Sequence, residues 1–219
     1  YTDSDGLPKP AKDASSSFWD CGNVNYFGKH IMTTQNDETA LGQGSSVKME
    51  TQETMKIIAA GNIFTGTFER DGMGGILTLG RNFECRPNKL KGYYKYTSAK
   101  VSVSKGHLNE GEDDLCSLYI ALTDEQITVN TNKGIYFDPN SSAVIAYGSI
   151  SDEESKGADS FKEFTVDLEY KDLKRIPKYI IVVASSSKYG DYMEGGKGST
   201  MWLDDLELVY PKSMEEVRK

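Results

Sequence analysis

The stretch from Tyr179 to Tyr210 constrains this chain most, because it holds two β-strands of different character joined by a glycine-rich loop. Tyr179-IIVVA is apolar and β-branched without a break, as suits a strand buried on both faces. In Met201-WLDDLELV-Tyr210 the apolar residues are interrupted by Asp204, Asp205 and Glu207. Ser185 to Thr200 carries four glycines and no apolar period, so it reads as surface loop. Adjacent carboxylates at strand level beside such a loop are solvated, hydrogen-bonded to loop N–H groups, or bound to a hard cation.

The rest of the chain repeats the pattern of short strands. Ser46-VKMET alternates, and Phe164, Val166, Leu168 and Tyr170 alternate with outward Thr165, Asp167 and Glu169. In Leu115 to Leu122, Cys116, Leu118, Ile120 and Leu122 form a core face, with Tyr119 pointing the other way. Gly92 to Ser104 reads as one long strand of awkward parity. Val101 and Val103 share a face with Tyr93 and Lys95, leaving Tyr94, Tyr96 and Ser98 opposite, and a β-bulge would reconcile them. Asp71-GMGG is a hairpin loop, while Asn25 to Thr39 and Thr128 to Pro139 read as loops.

With frequent turn signals and no amphipathic helix, the expected class is all-β, a β-sandwich of jelly-roll type. It forms one domain over 18–211, between an N-terminal linker or arm (1–17) and a charged tail (212–219). Aromatics reach 11% with 13 tyrosines, which suits a sandwich with wet aromatic faces.

The net charge of −8 and the absence of a lysine or arginine cluster argue against a nucleic-acid partner. No apolar run approaches the roughly 20 residues of a membrane span. The chain lacks an initiator Met and a signal peptide, and reads as a piece of a longer precursor. Cys21, Cys85 and Cys116 allow at most one bridge, and buried free thiols are the favoured reading. The expected state is a monomer.

Taken together, Ala59-AGNIFTGTF, Arg86-PNKLKGYYKY, Ile145-AYG and Ser185-SSKYGDYMEGGKGSTMWLDD resemble the putative carbohydrate metabolism domain. That family forms the C-terminal part of surface lipoproteins in Bacteroides-type gut bacteria, and the resemblance spans about residues 18 to 210. It implies a jelly roll similar to carbohydrate-binding modules and to accessory domains of glycoside hydrolases. It also implies export to the cell surface or outer membrane, with a lipid anchor outside this chain, and a link to polysaccharide use. It brings no catalytic signature.

A sugar site on a sandwich uses aromatic faces for the pyranose ring and polar side chains for its hydroxyls. On strand parity, Tyr94, Tyr96 and Tyr119 form the candidate platform with Lys100 and Asp167, and Tyr189, Asp191 and Tyr192 extend it onto the glycine-rich loop. The alternative packs these tyrosines beneath loops. Trp19 and Trp202 read as core anchors. For metal, Asp204 and Asp205, with Asp20 or Glu50 and turn carbonyls, are the candidate structural calcium ligands; the alternative is one Asp capping loop amides and the other solvated.

Hydrolysis needs two carboxyls about 5 to 9.5 Å apart. Asp167 with Glu169, and Asp191 with Glu194, are simpler as solvated pairs. His30 and His107 lie in polar surroundings, and no Gly-x-Ser-x-Gly elbow accompanies them. The expected function is therefore a non-catalytic, glycan-recognising module. A glycoside hydrolase with a non-standard site and a structural or adhesion module that binds a protein are the alternatives.

Overall fold

A computed structural model describes residues 6–10, 17–25 and 28–211. Eight strands carry the fold: β1 (Ser46–Glu50), β2 (Asn62–Asp71), β3 (Lys89–Thr97), β4 (Ser117–Thr123), β5 (Val144–Ser149), β6 (Ala158–Asp167), β7 (Tyr179–Ser185) and β8 (Thr200–Val209). They form two antiparallel sheets, in the orders β1-β8-β3-β6 and β2-β7-β4-β5. Every connection except β4 to β5 crosses between sheets, which is the wrapping of a jelly roll. Thr33–Asn36 extends the first sheet to five strands, correcting the expectation of loop there. Gly74–Leu79, Ile127–Asn130, Glu169–Tyr170, Trp19–Asp20 and Arg81–Asn82 extend the second to nine.

Alternation places the core. Leu118, Ile120 and Leu122 of β4 and Ile180, Val182 and Ala184 of β7 face Phe164, Val166, Met201 and Leu203 across the sandwich. A second apolar cluster covers the opposite face of the nine-stranded sheet. It contains Phe64, Leu77, Leu79, Ala121, Val129 and Ile181, with Phe68, Tyr119, Phe137 and Tyr147 packed against it. Strand β7 is therefore apolar on both sides, which accounts for its unbroken Ile and Val run.

The awkward parity has a different origin from the one expected. Strand β3 ends at Thr97, and the following segment leaves the sheet: Val101 N–H donates to Glu112 O, and Val103 pairs with Gly195. The orientation of Val101 and Val103 therefore says nothing about β3. Tyr94 and Tyr96 point into the core, 0% and 2% exposed, rather than onto an outer platform. Their hydroxyls donate to Glu154 O at 2.9 Å and Ser186 O at 3.1 Å. Irregularities do occur, as shifts of register against the neighbouring strands. In β8, Asp205 and Leu206 fall between the pairs Lys91–Glu207 and Tyr93–Asp204, opposite Gly92 alone. A Cβ on Gly92 would lie 2.8 Å from Leu206 Cδ2, 3.0 Å from Phe164 Cε1 and 3.1 Å from Asp204 O, so glycine lets the bulged strand pack closely over it.

Trp19 packs against the core, but Trp202 does not. It lies on the outer face of the five-stranded sheet, with Lys95 Nζ 4.3 Å and Lys48 Nζ 5.8 Å from the ring centroid. That face is otherwise laddered with ion pairs, Lys89–Asp167, Lys91–Glu163 and Lys95–Glu38.

Part of the expected arm packs on the sandwich: Leu7 is buried and Lys9 pairs with Asp20 at 2.8 Å. Residues 1–5, 11–16 and the tail 212–219 lie outside the described residues. All three cysteines are free; Cys21 and Cys116 are buried and Cys85 is exposed. Among the described residues, no helix is long and apolar enough to cross a membrane.

Candidate functional site

The loop between β7 and β8 is anchored from beneath by buried polar groups. Asp114, fully buried, accepts from Ser187 Oγ at 2.6 Å and from the N–H groups of Gly196 and Leu115, both at 2.8 Å. Thr51 Oγ1 bonds the Ser186 and Ser187 hydroxyls at 2.7 and 2.6 Å. Burial raises the Asp114 carboxyl above its ordinary value, and these hydrogen bonds oppose the shift.

Glu194, also fully buried, accepts N–H bonds from Lys105, His107 and Leu108, and its Oε2 lies 3.0 Å from His107 Nδ1. Burial alone would raise its carboxyl, but the donors hold it below the ordinary value. His107 is thereby fixed against two rings. It stacks on Tyr189, centroids 4.4 Å apart, and lies 4.3 Å from Tyr192, which in turn sits 3.9 Å from Tyr136.

The short 3-10 turn Gly190–Tyr192 carries Asp191 onto the outer face of the nine-stranded sheet. No donor among the described residues reaches the Asp191 carboxyl, and burial pushes it up to about 6. Tyr119 is its neighbour: burial first, and the charge of Asp191 next, hold the Tyr119 phenol well above its ordinary value. Tyr119 stacks under Phe137 at 4.9 Å, with Tyr147 at 6.0 Å.

Beside Asp191 a cleft of about 270 Å³ opens on the same face. Its walls come from two hairpins, Gln52–Thr54 with Ile57–Ala59, and β2 with Gly74–Leu79. Met55 and Met73, at the hairpin turns, are 84% and 62% exposed. Ile57, Phe68, Leu77 and Met193 continue the apolar lining; Gln52, His30, Arg70 and Asp191 are its main polar groups. Asp191 is the only carboxylate among the described residues of the lining.

The structure therefore divides the expected sugar platform. Tyr119, Tyr189, Asp191 and Tyr192 come together, with His107, Tyr136 and Phe137 added. Tyr94 and Tyr96 are core residues. Lys100 pairs with Asp113 at 2.7 Å, and Asp167 pairs with Lys89 on the five-stranded sheet, so neither joins the others. Asp191 and Glu194 are not a solvated pair, since burial shifts one and backbone donors consume the other. The contribution of Met55 and Met73 had no signal in the sequence beyond their place in turns. His107 had only a weak one, a histidine in a polar loop.

Asp204 and Asp205 are neighbours, and each of Asp20, Glu50 and Asp204 has partners within the protein. Asp20 is occupied by Lys9 Nζ and by the N–H groups of Cys21 and Phe68, each at 2.8 Å. Glu50 pairs with Lys48 at 2.8 Å. Asp204 accepts from Ala40 N–H at 2.8 Å, while Asp205 is exposed at φ 48°. No group of three or more His, Cys, Asp or Glu among the described residues converges as a metal site.

No curated protein matches the chain. Among solved structures, it is similar to a putative glycoside hydrolase from Bacteroides thetaiotaomicron VPI-5482, with 26% identity and a TM-score of 0.67. The match covers 84% of this chain and 58% of that one, so this chain spans little more than half of its length. A putative glycoside hydrolase from Bacteroides vulgatus ATCC 8482 is 24% identical with a TM-score of 0.65, over 81% of this chain and 77% of its own. The likeness to the second is one of fold. The family described as the putative carbohydrate metabolism domain matches residues 7–209, through both sheets and the loop that carries Asp191. The chain belongs to that family.

Proposed function

We propose that this chain recognises glycan, without cleaving it, on the outer face of the nine-stranded sheet. The observation that carries the proposal is the meeting of an unpartnered carboxyl, Asp191, with the wall of rings from Tyr192, Tyr189, Tyr136 and His107 beside an open cleft. Sugar hydroxyls donate to Asp191, and the apolar face of a ring lies against the aromatics. On the outer face of the five-stranded sheet, Trp202 is covered by Lys95 and Lys48 and flanked by ion pairs. Among the described residues of that face, no unpaired carboxyl accompanies it as Asp191 accompanies the rings here. Export to the cell surface on a lipid anchor, within a longer lipoprotein, belongs to the same proposal and is what the family resemblance implies.

A second reading, a glycoside hydrolase, draws support from the raised Asp191 carboxyl, the state a general acid needs. Against it, paired-carboxyl hydrolysis requires a second carboxyl about 5 to 9.5 Å away. Asp191 stands alone among the described residues of the cleft, and Glu194 is committed to backbone N–H groups.

Affinity electrophoresis against plant, host-mucin and microbial polysaccharides, with an assay for released reducing sugar, separates the readings. The expected result is retardation by one polymer class, weakened in folded Tyr192→Ala and Asp191→Asn proteins, with no sugar released. Release abolished by Asp191→Asn would replace recognition with hydrolysis. Neither retardation nor release would favour a structural or adhesion module.

A further inference from the structure

We propose that the cleft beside Asp191 takes an aromatic acyl group esterified to the glycan, rather than a bare sugar ring; this rests on the glycan reading above. A bare pyranose presents hydroxyls around most of its edge and needs several donors and acceptors to replace water. The lining is mostly carbon and sulfur, from Met55, Ile57, Met73, Met193, Phe68 and Leu77, with Gln52, His30, Arg70 and Asp191 as its main polar groups. Its volume of about 270 Å³ exceeds the ~150 Å³ cavity that holds a benzene ring, so an aryl ring with its linker fits.

The two most exposed apolar side chains of the cleft, Met55 and Met73, project from turns of separate hairpins. Thioethers are polarisable and adapt their rotamers, and they pack favourably against aromatic rings. Closing two such side chains over an aryl group removes from water apolar surface that is otherwise left exposed. Met55 and Lys56 both hold φ above zero, at 50° and 62°, a conformation that disfavours side chains. The turn that presents Met55 is thus kept at a conformational cost. Asp191 at the cleft edge accepts a free hydroxyl of the sugar that bears the ester, so the substituent and its sugar are read together.

The test uses methyl-¹³C-methionine protein with a feruloylated arabinoxylan oligosaccharide and its alkali-de-esterified counterpart. The esterified form is expected to bind at least tenfold more tightly. It should move the Met55, Met73 and Met193 methyl signals and leave those of Met49 and Met201, buried in the core, unmoved. In Met73→Ser and Ile57→Ser proteins the preference should fall below threefold, with binding of the de-esterified form retained. Equal affinity for both forms, or unmoved cleft methyls, overturns the acyl proposal and leaves glycan recognition standing. Failure of both forms to bind, when another polymer of the panel does, also overturns it. If no polymer binds at all, both proposals fall.

Discussion

Gly190 rests so closely on Ala60 that a Cβ built on it would lie 2.4 Å from the Ala60 Cβ. Two segments far apart in sequence, Ala59-AGN and Tyr189-GDY, meet at this contact, and Asp191 owes its position to it. The small residues at both places are a packing requirement of the site.

Gly190→Ala is accordingly expected to lift the turn. Overpacking of this kind costs about 1–3 kcal/mol, which urea denaturation would measure. Glycan affinity should fall at least tenfold, because Asp191 and Tyr192 move with the turn. Unchanged affinity would show that the turn does not form the site.

Asp191 and Glu194 should shape the pH dependence of stability in opposite senses. Burial raises Asp191 from an ordinary 3.8 to about 6, so the folded chain holds its proton more tightly than the unfolded chain. Its favourable contribution is complete below the ordinary value and is lost as pH rises through about 6. Asp191→Asn removes that loss and should gain on the wild type by at most about 3 kcal/mol between acid and neutral pH. A constant difference across that range would refute the assignment.

Glu194 is held below its ordinary value of 4.5, so its contribution is present above that value and disappears as pH falls through the folded one. Glu194→Gln leaves backbone donors without a charged acceptor and is expected to cost about 2–3 kcal/mol at neutral pH. Its stability should also fall less steeply than the wild type's in acid. With the loop freed, the His107 ring would no longer be pinned against Tyr189 and Tyr192, and NMR of its ring protons would report the release.

Tyr94 and Tyr96 test the division between core and site. Tyr96→Phe leaves Ser186 O without its donor and should cost about 1–2 kcal/mol, and Tyr94→Ala about 3–5 kcal/mol. Neither should alter glycan affinity in protein that remains folded. A selective loss of binding in Tyr96→Phe would return these residues to the ligand site.

The fold class was legible because alternation is local. Phe164, Val166 and Leu168, like Leu118, Ile120 and Leu122, announce a strand and its buried face without knowledge of any partner. The same parity argument placed Tyr119 on the outer face. It failed for Tyr94 and Tyr96 because it was carried across Thr97, where the strand stops, and alternation holds only while a strand continues. Gly92, read as the start of that strand, lies inside it, opposite the irregularity in β8 where Leu206 packs over it.

By itself, then, the sequence determined a set of short antiparallel strands, a jelly-roll class and the loop that carries Tyr189, Asp191 and Tyr192. Only the tertiary structure decided that Asp191 sits unpartnered beside Tyr119, that Glu194 is consumed by the segment around His107, and that Met55 and Met73 face one cleft. The physical reason is that side-chain direction follows from backbone period. Desolvation and hydrogen-bond supply, in contrast, depend on neighbours brought in from elsewhere along the chain.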